Sequence, residues 1–147
     1  MNRRDAFVGA GGAMVAMVQS AALAQEMAHD HSHMHSANMY QALIDSTSDC
    51  VVKGQACVAH CLVLLADGDK PMAACAKSVQ QVLAVCGALQ NLASQNAPLT
   101  PSLAKVALEA CQQCEKECRK HEDKHAECKA CADSCASCIK QCKAIAV

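Results

Sequence analysis

The sequence predicts an all-α, antiparallel four-helix bundle with a cysteine-lined core. Three observations carry that prediction. Apolar and cysteine residues recur at spacings of three and four in four separate stretches, the period of a single helix face. Only six glycines and three prolines interrupt 147 residues, and the abundant Ala, Leu, Lys, Glu and Gln favour helix over strand. The chain holds one Phe, one Tyr and no Trp, so its core must be built from Ala, Leu, Val, Ile and Cys. With 13 basic and 14 acidic side chains the formal net charge is −1, and no basic excess points to nucleic acid or an anionic membrane.

Residues 1–24 read as an export signal. Arg3 and Arg4 precede Phe7 and an uncharged run interrupted by Gly9, Gly11 and Gly12. Ala22-Leu23-Ala24 supplies small residues for a signal peptidase, which places cleavage before Gln25. The paired arginines resemble a twin-arginine signal, which implies export of a folded protein to the periplasm or another extracytoplasmic compartment. No later stretch reads as a bilayer span, so no membrane association is expected after cleavage. Residues 25–36 contain Met27, His29, His31, His33, Met34 and His35. They lack apolar periodicity and are expected to form a disordered tail. Residues 37–147 make up the bundle.

The first helix is expected from about Ala37 to Ala66. Leu43, Cys50, Cys57 and Leu64 recur every seven residues, with Thr47, Gly54 and Cys61 beside them. Asp67-Gly68-Asp69-Lys70-Pro71 is a compact stop and restart, with Gly68 as C-terminal cap. The second helix runs from about Pro71 to Ser94, with Cys75, Val79, Val82, Cys86 and Leu89 on one stripe. Gln95 to Pro101 breaks it; Thr100 is expected as N-cap and Pro101 as the first residue of the third helix. That helix carries Cys111, Cys114 and Cys118, and the fourth carries Cys128, Cys131, Cys135, Cys138 and Cys142. No Gly or Pro separates these two. A phase slip does: the register of the third helix throws Cys131 and Cys138 off the face, and a turn within Arg119–Lys124, with Asp123 as candidate cap, repairs it. An unbroken helix from 101 to 145 would be about 68 Å long and would leave its own stripe unburied.

Every cysteine falls on the apolar stripe of its helix, while Glu115, Lys116, Glu117, Arg119, Lys129, Lys140 and Lys143 take outward positions. The thiols of the first, second and fourth helices each spread over a rise of about 16 to 21 Å, and the thiols of all four should line one axial column. Thirteen is too many for cysteine as a mere small hydrophobe. A disulfide-stapled structural bundle is a second reading, although an odd count leaves one thiol over, and bridges along one helix strain disulfide geometry. The third reading is metal. C-x-x-C and C-x-x-x-C pairs project from the same helix face and can chelate. Zinc favours closed sets of four ligands, so a zinc buffer remains an alternative. A long ladder of thiolates with few other ligands suits a soft ion content with two or three sulfurs, Cu(I). If each ion binds two thiolates and each thiolate bridges two ions, the ratio is one to one and the core is neutral.

The Cys-lined ladder on four helices, the twin-arginine leader and the His/Met-rich start together resemble the bacterial four-helix-bundle copper storage proteins over about residues 37–145. The resemblance implies storage of many Cu(I) ions in one bundle, for copper enzymes of the exporting cell or for detoxification. It also implies a homotetramer of bundles. The metal ligands it supports are Cys50, Cys57, Cys61, Cys75, Cys86, Cys111, Cys114, Cys118, Cys128, Cys131, Cys135, Cys138 and Cys142.

Antiparallel topology gathers His60, Met72, His121 and His125 at one pole. The other pole gathers Met39, Leu43, Leu92, Leu103, Ile145 and Val147, an expected apolar plug. The family lines its mouth with His and Met, which supports His60 and Met72 as further metal ligands. This chain departs from the Met-rich version by carrying Leu64, Leu65 and Asp67 near the end of the first helix. The tail histidines are candidates for capturing copper and passing it inward. No Ser/His/Asp set, phosphate loop or open carboxylate metal site suggests an enzyme.

Overall fold

The structure, a computed structural model, describes residues 38–146. The expected leader and tail, together with Ala37 and Val147, lie outside the described residues. Four helices follow in order: α1 (Gln41–Ala66), α2 (Met72–Ser94), α3 (Thr100–Arg119) and α4 (Ala126–Ile145). No strand occurs among the described residues. α1 packs on α2 and α4, and α3 packs on the same two. The helices therefore stand at the corners of a square, with the short connections making chain neighbours antiparallel.

The ends of the helices have local causes. α1 starts at Gln41, four residues later than the periodicity suggests, because Asn38 holds the chain in a turn. The Asn38 side-chain oxygen accepts from the Tyr40 amide at 2.8 Å, and its Nδ2 donates to the carbonyls of Ala93 and Ser94. The start of α1 is thus tied to the end of α2. α1 ends as expected at Gly68, whose φ of 92° is the left-handed conformation that favours glycine. The Gly68 amide bonds the Leu65 carbonyl and the Asp69 amide bonds the Leu64 carbonyl, the paired closure of a Schellman motif. α2 closes the same way around Asn96, with Ala97 donating to Leu92.

Two expected caps are corrected. Thr100 is the first residue of α3, not its N-cap. Leu99 takes that place with helical dihedrals, because the Leu103 amide already bonds the Leu99 carbonyl. The Thr100 hydroxyl is buried and has no hydrogen-bond partner. The break between α3 and α4 falls within Lys120–His125, overlapping the expected turn. Its cap position is His125 in an extended conformation rather than Asp123. Arg119 secures this elbow, with ion pairs to Glu122 at 2.6 Å, to Asp133 of α4 at 2.7 Å and to Glu115 at 3.4 Å.

The core is narrow. Gly54 in α1 faces α2, where an added Cβ would stand 3.0 Å from a Leu83 methyl and 3.5 Å from Val79. Its lack of a side chain lets the two helices approach. Leu43, Leu89, Ala93 and Ala104 close the end opposite His60, all fully buried. The expected plug is corrected in one member, since Met39 is 77% exposed; it precedes α1 and hangs outside the stripe. By length and composition α1 and α2 are apolar enough to cross a bilayer, with mean hydropathies of 1.5 and 1.3, which corrects the expectation that no later stretch qualifies. Val and Leu supply most of that hydropathy; Cys50, Cys57, Cys61, Cys75 and Cys86 add to it, and all five are buried within the bundle.

Gly68→Ala must force a Cβ into the left-handed region, with open space around it. A loss of about 1 kcal/mol in urea unfolding is expected, with metal capacity unchanged.

Candidate metal centre

The seven-residue recurrence in α1 and the 3, 4, 3, 4 spacing in α4 aim each thiol along the bundle axis. All thirteen cysteines are fully buried, and all thirteen are free thiols. The closest pair, Cys75 and Cys118, has its sulfurs 3.4 Å apart, whereas a disulfide needs about 2.05 Å. Other contacts link the helices around the square. Cys50 meets Cys135 at 3.7 Å, Cys57 meets Cys128 at 3.9 Å, Cys86 meets Cys111 at 3.7 Å and Cys114 meets Cys131 at 3.9 Å. One contact crosses the diagonal: Cys86 of α2 lies 4.0 Å from Cys138 of α4. The sulfurs therefore reach a common centre.

Five groups of thiols have all their sulfurs within 4.8 Å of one another. They are Cys57/Cys61/Cys75/Cys128, Cys57/Cys118/Cys131, Cys114/Cys131/Cys135, Cys50/Cys111/Cys135 and Cys86/Cys111/Cys138. Each group in that order shares one sulfur with the next, through Cys57, Cys131, Cys135 and Cys111. Cys142 extends the series from Cys138 at 3.9 Å. All thirteen sulfurs thus form one connected column, from the His60 end to the plug of Leu43 and Leu89.

Ionisation along the column is shared between touching thiols. Contact with Cys111 above all, then with Cys138 and Cys50, and burial as well, pushes the Cys86 thiol far above the usual range. Cys114 leads the same effect on Cys118, and Cys111 leads it on Cys135. These three remain protonated at neutral pH. Cys61 shifts the other way. Cys128, Cys57 and Cys75 stabilise its thiolate by hydrogen bonding, and nearby His60 adds to this, together outweighing burial.

At the mouth His60 is one-quarter exposed. Its Nε2 lies 2.9 Å from Nδ1 of His125 and 3.8 Å from a Glu127 carboxylate oxygen. The His121 ring stands 6.5 Å from that of His125. Met72 is fully buried at the first residue of α2, three positions before Cys75 and so on the same face. The His60–His125 pair bridges α1 and the start of α4, and Glu127 joins it. No spacing in the sequence marks Glu127, since its neighbour comes from a helix more than sixty residues away.

Fold and site together define a thiolate-lined helical bundle built to hold soft metal ions. The chain belongs to the copper storage protein family, whose model matches residues 35–147. Solved structures agree in fold. The Cu(I)-bound copper storage protein BsCsp3 is 24% identical, with a TM-score of 0.66 over 74% of this chain and 98% of that one. The apo form of copper storage protein 3 from Bacillus subtilis is 25% identical, with a TM-score of 0.65 over 74% and 99%. The copper storage protein Ccsp from Streptomyces lividans, loaded with 10 copper equivalents, is 24% identical, with a TM-score of 0.64 over 76% and 88%. No curated protein sequence matches the chain.

Because the thiolate is the ligand and the raised thiols are protonated at neutral pH, Cu(I) must displace their protons. Raising the pH therefore favours loading, and lowering it favours release. Anaerobic addition of Cu(I) in weak buffer is expected to acidify the solution in step with thiolate–copper absorption, with apparent affinity rising with pH.

Proposed function

We propose that this chain stores Cu(I) along the whole sulfur column, many ions per chain, in a binding role without turnover. The carrying observation is continuity: neighbouring groups share sulfurs, so every thiol has an ion-sharing partner. Shared thiolates suit Cu(I), which is satisfied by two or three soft ligands, and one ion per bridging thiolate leaves little net charge in the core. Family membership supports the same reading. In it the thirteen cysteines are the storage ligands, with His60 and Met72 as ligands where copper enters. His121 and His125 stand behind His60 as further donors.

The finer readings rest on sequence and family. Residues 1–24 act as a twin-arginine leader, residues 25–36 as a His/Met-rich tail that captures copper, and the bundle works outside the cytoplasm in supply of copper enzymes. Assembly as a homotetramer is supported by apolar surface on α1, where Val52, Leu62 and Val63 are each more than half exposed.

Anaerobic titration of the fully reduced protein with Cu(I) tests storage. Saturation is expected near the thiol count of thirteen, and an end point at four ions or fewer would rule out a filled column. His60→Ala is expected to slow loading from a Cu(I) donor, followed by stopped-flow absorption, while leaving the end point in place. Unchanged loading kinetics would place the entrance elsewhere.

A further inference from the structure

One thiol group differs from the rest in number. Cys57 and Cys61 of α1, Cys75 of α2 and Cys128 of α4 make a set of four with every sulfur within 4.8 Å of the others, all buried. The other groups among the described residues contain three sulfurs. Four sulfurs this close together can close on one ion as the corners of a tetrahedron. A zinc–thiolate centre with bonds of about 2.3 Å has sulfur–sulfur edges of about 3.8 Å. The Cys57–Cys128 edge is already 3.9 Å, and the remaining edges need to close by no more than about 1 Å, a small movement of thiol side chains. Cu(I) has no need of a fourth sulfur, whereas a divalent d10 ion takes four in this shape without a geometric preference of its own.

We propose that Cys57, Cys61, Cys75 and Cys128 form a tetrahedral site for one divalent d10 cation of the zinc class, at the end of the sulfur column beside His60. The site does not depend on the rest of the column storing copper. Its surroundings suit a centre carrying excess negative charge: the imidazoles of His60 and His125 stand 2.9 Å apart at that end of the column. An ion held there also takes Cys57 from the next group, so the divalent ion and Cu(I) compete for the mouth of the column.

Co(II) is the probe, since it reports tetrahedral thiolate coordination by intense visible d–d bands and near-ultraviolet charge transfer. Anaerobic titration of the fully reduced, full-length chain is expected to give one tetrahedral Co(II) per chain, bleached by one equivalent of Zn(II). Cys61→Ser should abolish the bands, and Cys142→Ser, at the far end, should keep them. Circular dichroism checks that Cys61→Ser retains its helix; Cys75→Ser serves as the second variant. A weak octahedral spectrum, or bands that survive both mouth substitutions, would overturn the site. Cu(I) titration of the same samples separates the two readings. Filling with Cu(I) but no tetrahedral Co(II) refutes the zinc-class site alone; failure to bind either ion refutes storage as well.

Discussion

Sulfur packed on sulfur along a shared axis is the constraint to which the rest of the bundle conforms. A thiol is a small hydrophobe with a weak donor, so a core made of thiols fills little volume and must be thin. The chain meets that condition by omitting aromatic side chains from the interior and placing Gly54 against Leu83 where α1 meets α2. Sulfur contacts of 3.4 to 4.0 Å across helix pairs follow from that closeness. Wider spacing between the helices would leave the same thirteen residues as isolated pairs along separate rods.

The two ends of the axis obey different chemistry. At one, Leu43, Leu89, Ala93 and Ala104 shut the core with aliphatic side chains, and Asn38 straps the incoming chain to the last carbonyls of α2. At the other, the sulfurs give way to imidazole and carboxylate. His125 stands beside His60 because the α3–α4 elbow is short and fastened. Arg119 spans it, joining Glu115 and Glu122 to Asp133. Individual ion pairs at this exposure contribute little to stability; three acceptors on one planar guanidinium contribute direction, and so set where α4 begins.

Much of this was legible in the residues. Helical spacing within each of the four helices assigned every cysteine to the inside, because burial follows helical phase and phase survives any detail of packing. The phase slip between Cys118 and Cys131 located a turn that no glycine or proline announces. Local competition was harder to read. Thr100 and Asp123 have capping side chains, yet Leu99 and His125 occupy the cap positions, since tertiary packing buried one hydroxyl and the elbow's own hydrogen bonds fixed the other end. Met39 continued the apolar count but not the helix. The meeting of His60 with Glu127, and the difference between four sulfurs at the mouth and three elsewhere, arise from the relative rotation of separate helices, which periodicity within each one does not encode.

The sharing of Cys57, Cys131, Cys135 and Cys111 between successive groups makes the column a one-dimensional lattice rather than a rack of separate compartments. A sulfur already bound by one ion has lost its proton and part of its charge, so it greets the next ion as a different ligand. Partial filling is then a matter of where domains of occupied lattice begin and how far they spread. A set of independent constants cannot describe it; a nucleation step and a nearest-neighbour coupling can.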